Sequence, residues 1–89
     1  MKRVKQELML KRVIYKMLSE GIIFYNTLYE LDDLAEKITF YASVYYNKRI
    51  TYNLVKQFIL KIFNKTNLGI NELYSQELYY ISQSDLNAN

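Results

Sequence analysis

The sequence predicts an all-α protein, an antiparallel up-and-down four-helix bundle. Three observations lead there: apolar residues recur at helical spacing in separate stretches, capping signals bracket those stretches, and the stretches alternate in charge. A first helix is expected over about Lys2 to Ser19, with Leu10, Val13, Ile14 and Met17 at packing spacing and Gly21 where a C-terminal glycine cap belongs. Ile22 to Tyr25 is β-branched and aromatic, but one strand would have no partner, so it reads as a helix extension or buried connector.

The second helix is the clearest. Between Thr27 and Asn47, Leu31, Leu34, Ala35, Ile38, Tyr41, Ala42 and Tyr45 recur three and four residues apart. Thr27 with Glu30 has capping-box spacing, Asp32 and Asp33 suit the positive end of the helix dipole, and Asn47, Lys48 and Arg49 suit its C-terminal end. Thr51 is then the expected N-cap of a third helix, with Ile50 and Val55 placed as a hydrophobic staple. Leu54, Val55, Phe58, Ile59, Leu60, Ile62 and Phe63 cover more than half of its circumference, which predicts the most central helix, with Lys56, Gln57 and Lys61 toward water. After a polar loop from Asn64 to Gly69, a fourth helix is expected from about Asn71 to Ser82, with Ile70, Leu73, Tyr74, Leu78 and Ile81 inward. Residues 1–82 then form one domain, and 83–89 a polar tail that frays.

Residues 1–18 carry six cations and one anion, 19–46 one cation and five anions, 47–67 five cations, and 68–89 three anions. Such alternation favours an up-and-down order in which sequential helices of opposite sign lie side by side and the two basic helices sit diagonally. The apolar excess of the third helix also leaves room for a homodimer.

Composition argues against catalysis. The chain has neither histidine nor cysteine, which removes the commonest general base, the thiol nucleophile and the usual transition-metal ligands, so no catalytic residue, metal or cofactor is expected. Asp32, Asp33 and Glu36 are explained by the helix start, and two glycines cannot build a phosphate loop. The missing cysteine suits a reducing cytoplasmic setting; no secretion signal is read at the charged N-terminus, and no apolar run is long enough for a membrane span.

Binding is therefore the expected activity. Lys5, Arg12, Lys16, Lys48, Lys56 and Lys61 could meet nucleic acid or another anionic partner, although few base-reading side chains accompany them. Ten tyrosines are the more unusual feature. Tyr46, Tyr52, Tyr79 and Tyr80 do not fit the inward stripes, and with Arg49 they form the candidate protein-contact surface, since tyrosine and arginine are favoured at interfaces.

Ala42-Ser43, then Asn47-Lys48-Arg49 with Ile50-Thr51, an amphipathic helix, and Gly69-Ile70-Asn71 with Tyr74 carry a family resemblance over residues 40–74. This segment resembles the immunity proteins against class IIa (pediocin-like) bacteriocins, in particular the enterocin A and leucocin A group. The resemblance implies a small cytosolic antiparallel four-helix bundle that protects its host at the sugar-transporting membrane permease which the bacteriocin targets. Glu72 departs from the group, which tends to have a further glycine there, and the third helix is more basic than theirs. The alternative readings are a phage or mobile-element accessory protein that binds and inhibits a host or defence protein, and a small basic DNA-binding regulator.

Overall fold

The computed structural model describes the backbone of residues 2–46, 50–62 and 72–87, with side chains at 6–46, 50–61, 72–80 and 82. Four helices dominate: α1 (Lys2–Ser19), α2 (Leu31–Tyr46), α3 (Tyr52–Ile62) and α4 (Ser75–Asn87). Between them lie two short strands, β1 (Leu28–Glu30) and β2 (Glu72–Tyr74), so the chain is mostly but not entirely helical.

The expected faces of the first three helices are the buried ones. Leu10, Val13, Ile14 and Met17 of α1, Leu31, Leu34, Ala35, Ile38 and Ala42 of α2, and Val55, Phe58 and Ile59 of α3 share one core with Ile23, Ile50, Leu73 and Leu78. Gly21 ends α1 as its position suggests. Its φ of 75° is left-handed, the Ile22 N–H reaches back to the Met17 carbonyl at 2.8 Å, and the Gly21 N–H reaches that of Leu18 at 3.3 Å. These two bonds are the Schellman pattern, and they satisfy carbonyls that the last turn leaves open. Thr51 caps α3, its hydroxyl accepting the Leu54 N–H at 3.1 Å, and the staple residues Ile50 and Val55 are both buried.

The start of α2 differs from the sequence expectation. Thr27 does not cap it; the Thr27 hydroxyl donates to the Tyr25 carbonyl and the chain runs extended from Leu28 before turning helical at Leu31. The reason is tertiary: β1 pairs antiparallel with β2, Leu28 opposite Tyr74, Tyr29 opposite Leu73 and Glu30 opposite Glu72, and the Ser75 N–H continues the ladder to the Thr27 carbonyl at 3.1 Å. Leu28–Glu30, expected within the second helix, is thus a strand, and its partner comes from within the expected fourth helix. That helix accordingly starts at Ser75, not Asn71, and Tyr74, expected inward, is exposed on β2. It also continues to Asn87, past the expected end at Ser82. Ile22 to Tyr25 is a connector in which Ile23 is buried while Phe24 and Tyr25 are exposed.

The helix arrangement departs from an up-and-down order as well. Tyr45, in the last turn of α2, donates to the Glu20 carboxylate just beyond the C-terminal end of α1, and the Lys16 ammonium stands 5.2 Å from the Tyr45 ring centre. An antiparallel hairpin would put that end of α1 beside Leu31, about 21 Å along α2 from Tyr45. Like ends also meet between α2 and α3, where Asp32 contacts Tyr52 and Lys56. The connector over residues 20–30 is long enough to carry the chain back along the molecule before α2 begins, which a short helix–helix loop could not do. The basic helices α1 and α3 are not close backbone neighbours, yet their side chains meet: Lys61 of α3 pairs with Glu7 of α1 at 2.8 Å, beside a small cleft lined by Gln6, Leu10, Leu54, Gln57 and Phe58. Two helices are flanked on both sides, α1 by α4 and α2, and α2 by α1 and α3, whereas the backbone of α3, expected to be the most central, lies close chiefly to α2.

Gly21→Ala tests the role of the α1 cap. A Cβ there meets nothing nearer than the Phe24 ring at 3.9 Å, so the cost is that of holding a left-handed φ, about 1 kcal/mol. Urea unfolding should give that loss, and a thermal midpoint lower by about 4–8 °C.

Candidate functional site

Tyr79 of α4 is the hub of a group of four tyrosines. Its ring centre lies 5.1 Å from Tyr25, 5.8 Å from Tyr80 and 6.0 Å from Tyr15. Three elements build the group: α1 presents Tyr15, the connector presents Tyr25, and α4, packed closely on α1, presents Tyr79 and Tyr80. The chain reversal at Gly21 and a second left-handed residue, Asn26 with φ 59°, shape the connector that carries Tyr25. Asparagine tolerates that conformation better than most side chains.

Tyr79 is half-buried, while Tyr15, Tyr25 and Tyr80 keep 40%, 45% and 60% of their surface exposed. Desolvation, a hydrogen bond with Tyr79 and the neighbouring phenols push the Tyr25 hydroxyl up to about 12, so it stays protonated at any physiological pH. Gln76 donates to the Tyr80 hydroxyl at 3.4 Å, one turn earlier on α4. The result is an outward aromatic surface with hydroxyl groups, able to bury ring area and to hydrogen-bond at its rim.

This is only partly the surface the sequence suggests. Tyr79 and Tyr80 belong to it, but Tyr46 and Tyr52 are half-buried against the core, and no ring contact joins either to Tyr79 or Tyr80 among the described residues. Arg49 and Lys48 lie outside the described residues, as do Asn47 and Gly69-Ile70-Asn71 of the family resemblance and the side chain of Lys5. The resemblance residues within them have structural places: Ala42 is core, Ser43 bonds the Phe40 carbonyl, and Tyr74 is exposed on β2. Tyr15 and Tyr25 are the members that sequence reading misses. Tyr15 sits beside an apolar stripe on a regular helix and Tyr25 in a connector, and no spacing rule relates either to α4.

The candidate anionic-partner residues are largely occupied. Lys16 pairs with Glu20 at 3.7 Å, Lys56 with Asp32 at 2.9 Å and Lys61 with Glu7 at 2.8 Å, leaving Arg12 as an exposed member of that set. Asp32 takes both the Lys56 ammonium and the Tyr52 hydroxyl, the latter at 2.8 Å, on the same carboxylate oxygen. Those two bonds, Lys56 first, hold the Asp32 carboxyl below its ordinary value of 3.8. The same contact raises Lys56 above 10.5 and Tyr52 above 10.0. Tyr45, desolvated and bonded to Glu20, is pushed up to about 12.

Compared with protein-family models, curated proteins and solved structures, the chain gives no match. No helix among the described residues is long and apolar enough to cross a membrane.

The Asp32 contact predicts a pH dependence. A carboxyl whose folded-state pKa is depressed adds stability that is present above its unfolded value of 3.8 and is lost as pH falls through the folded value. Lys56, raised, adds stability that is present below 10.5 and is lost as pH climbs through its folded value. Asp32→Asn should therefore flatten both limbs of the stability–pH curve measured by urea unfolding, with the alkaline limb retaining the contributions of Tyr25 and Tyr45. An unchanged acid limb would show that the contact is not maintained in solution.

Proposed function

We propose that this chain works by binding another protein through the tyrosine surface of Tyr15, Tyr25, Tyr79 and Tyr80. The observation that carries this reading is three exposed tyrosines gathered around a half-buried fourth, a clustering of aromatic area at the surface that the core does not use. Tyrosine offers large rigid contact area at low entropic cost, which is why it recurs at binding hot spots. The ion pairs of Lys16, Lys56 and Lys61 count against nucleic acid as the partner, because cations already held by carboxylates gain less from phosphates. The sequence supports a role without a catalytic step, given a chain with no histidine or cysteine.

The test is a Tyr25→Ser, Tyr80→Ser double variant. Both side chains are exposed, so the circular dichroism spectrum should be retained while partner capture from the native host falls at least about tenfold. Equal recovery of the same partner by both proteins would sink the proposal.

Within this class, the sequence resemblance supports immunity to a class IIa bacteriocin, with the targeted permease complex as partner and the cytoplasm as compartment. The strand pair and the meeting of like helix ends depart from the antiparallel bundle which that group implies. Expression in a bacteriocin-sensitive strain should raise the tolerated bacteriocin concentration by at least about tenfold if this role is correct. An unprotected strain would transfer the reading to the inhibitor of a host or defence protein.

A further inference from the structure

The outward side of α2 carries two apolar residues, Phe40 and Val44, that helix formation does not call for. At 100° per residue, Asp33, Glu36, Lys37, Phe40 and Val44 fall within about 100° of one another, on the side opposite Leu34, Ala35, Ile38 and Ala42 of the core. Phe40 is 60% and Val44 55% exposed, one helical turn apart. Tyr29 of β1 joins Asp33, Glu36, Lys37 and Phe40 in lining an open groove.

The charge of this groove is net negative, with Lys37 set among Asp33 and Glu36. Among the described residues no ion pair engages Asp33 or Glu36, whereas Asp32, on the same turn, is taken by Lys56. Glu30, immediately before α2, and Glu72, opposite it in the ladder, add two exposed carboxylates at that end. Screening confines each charge to about 8 Å at physiological salt, so a partner on this face meets these carboxylates and not the +3 of the whole chain.

We propose that this face docks a basic amphipathic segment of another protein, with its apolar side chains over Phe40 and Val44 and its lysines or arginines against Asp33 and Glu36. The sign of the charge selects this occupant. Phosphate backbones and anionic lipid surfaces would meet a net negative face, and two copies meeting face to face would each bring the four carboxylates of Glu30, Asp33, Glu36 and Glu72 against the single cation Lys37 of the other. Apolar anchors one turn apart match the spacing with which a helix presents its own apolar face. The site shares no residue with the tyrosine surface.

The experiment titrates the full chain into a fluorescently labelled helical peptide of leucine and lysine, with leucine at three- and four-residue spacing, and reads anisotropy. Phe40→Ser with Val44→Ser should weaken binding about tenfold, and both side chains face outward, so the thermal midpoint should hold. Asp33→Asn with Glu36→Gln should weaken binding and flatten its salt dependence. The Tyr25→Ser, Tyr80→Ser variant should bind the peptide like the parent, which separates this site from the tyrosine surface. Equal affinity across all variants overturns the proposal, as does an equal loss from Glu77→Gln on α4, which would mean general acidity alone. Light scattering that shows a dimer abolished by Phe40→Ser with Val44→Ser also overturns it, because the occupant would then be a second copy.

Discussion

The pairing of β1 with β2 is the constraint on which the rest of the structure depends. It joins residues more than forty positions apart, and each strand runs directly into a helix, so three residue pairs set where α2 and α4 begin. A two-stranded ribbon this short has little stability of its own in water. Its inward pair supplies the anchor: Leu73 is buried and Tyr29 packs on the core, while the Tyr29 hydroxyl accepts the Phe24 N–H at 3.2 Å and ties down the connector. The outward pairs show what the anchor must outweigh. The Thr27–Ser75 hydrogen bond makes Glu30 and Glu72 a non-hydrogen-bonded pair, where side chains approach most closely, and two carboxylates there repel.

Electrostatics in this chain acts by local compensation. Helices of opposite net sign do meet, as in Lys56 with Asp32, but the lone carboxylate of basic α1, Glu7, is equally used, by Lys61 of basic α3. Individual pairs decide these contacts because a charge in water is felt only over about a Debye length, and a helix has several faces that can carry opposite signs. Exposed pairs of this kind contribute little stability each, so they select among packings that the apolar core already permits.

What the pairs do not neutralise defines the surface. The tyrosine group around Tyr79 is amphipathic, whereas the outward side of α2 combines Phe40 and Val44 with Lys37 and with carboxylates that no ion pair engages among the described residues. Apolar side chains exposed singly are ordinary, but grouped ones that burial does not use suggest contacts outside the chain. On α3, Val55, Phe58 and Ile59 are buried and Leu54 and Leu60 pack against the core, while the side chains of Ile62 and Phe63, on which the expected apolar excess also rested, lie outside the described residues.

The sequence by itself determined that four stretches form helices and which faces the first three of them bury. Leu10, Val13, Ile14 and Met17, the Leu31 to Ala42 stripe, the Gly21 cap and the Thr51 cap were all legible because each is a relation between residues within about one or two helical turns. Only the tertiary structure decided that Leu28–Glu30 and Glu72–Tyr74 would be strands, since a three-residue segment adopts extended geometry when a distant partner completes its hydrogen bonds. The same holds for the site. Tyr79 and Tyr80 stood out as tyrosines off the inward stripe, but their union with Tyr15 and Tyr25, and not with Tyr46 and Tyr52, follows from α1 packing on α4. Local periodicity fixes the face of a helix; which other helix meets that face depends on connector path and on contacts across the whole chain, and these have no short-range signature.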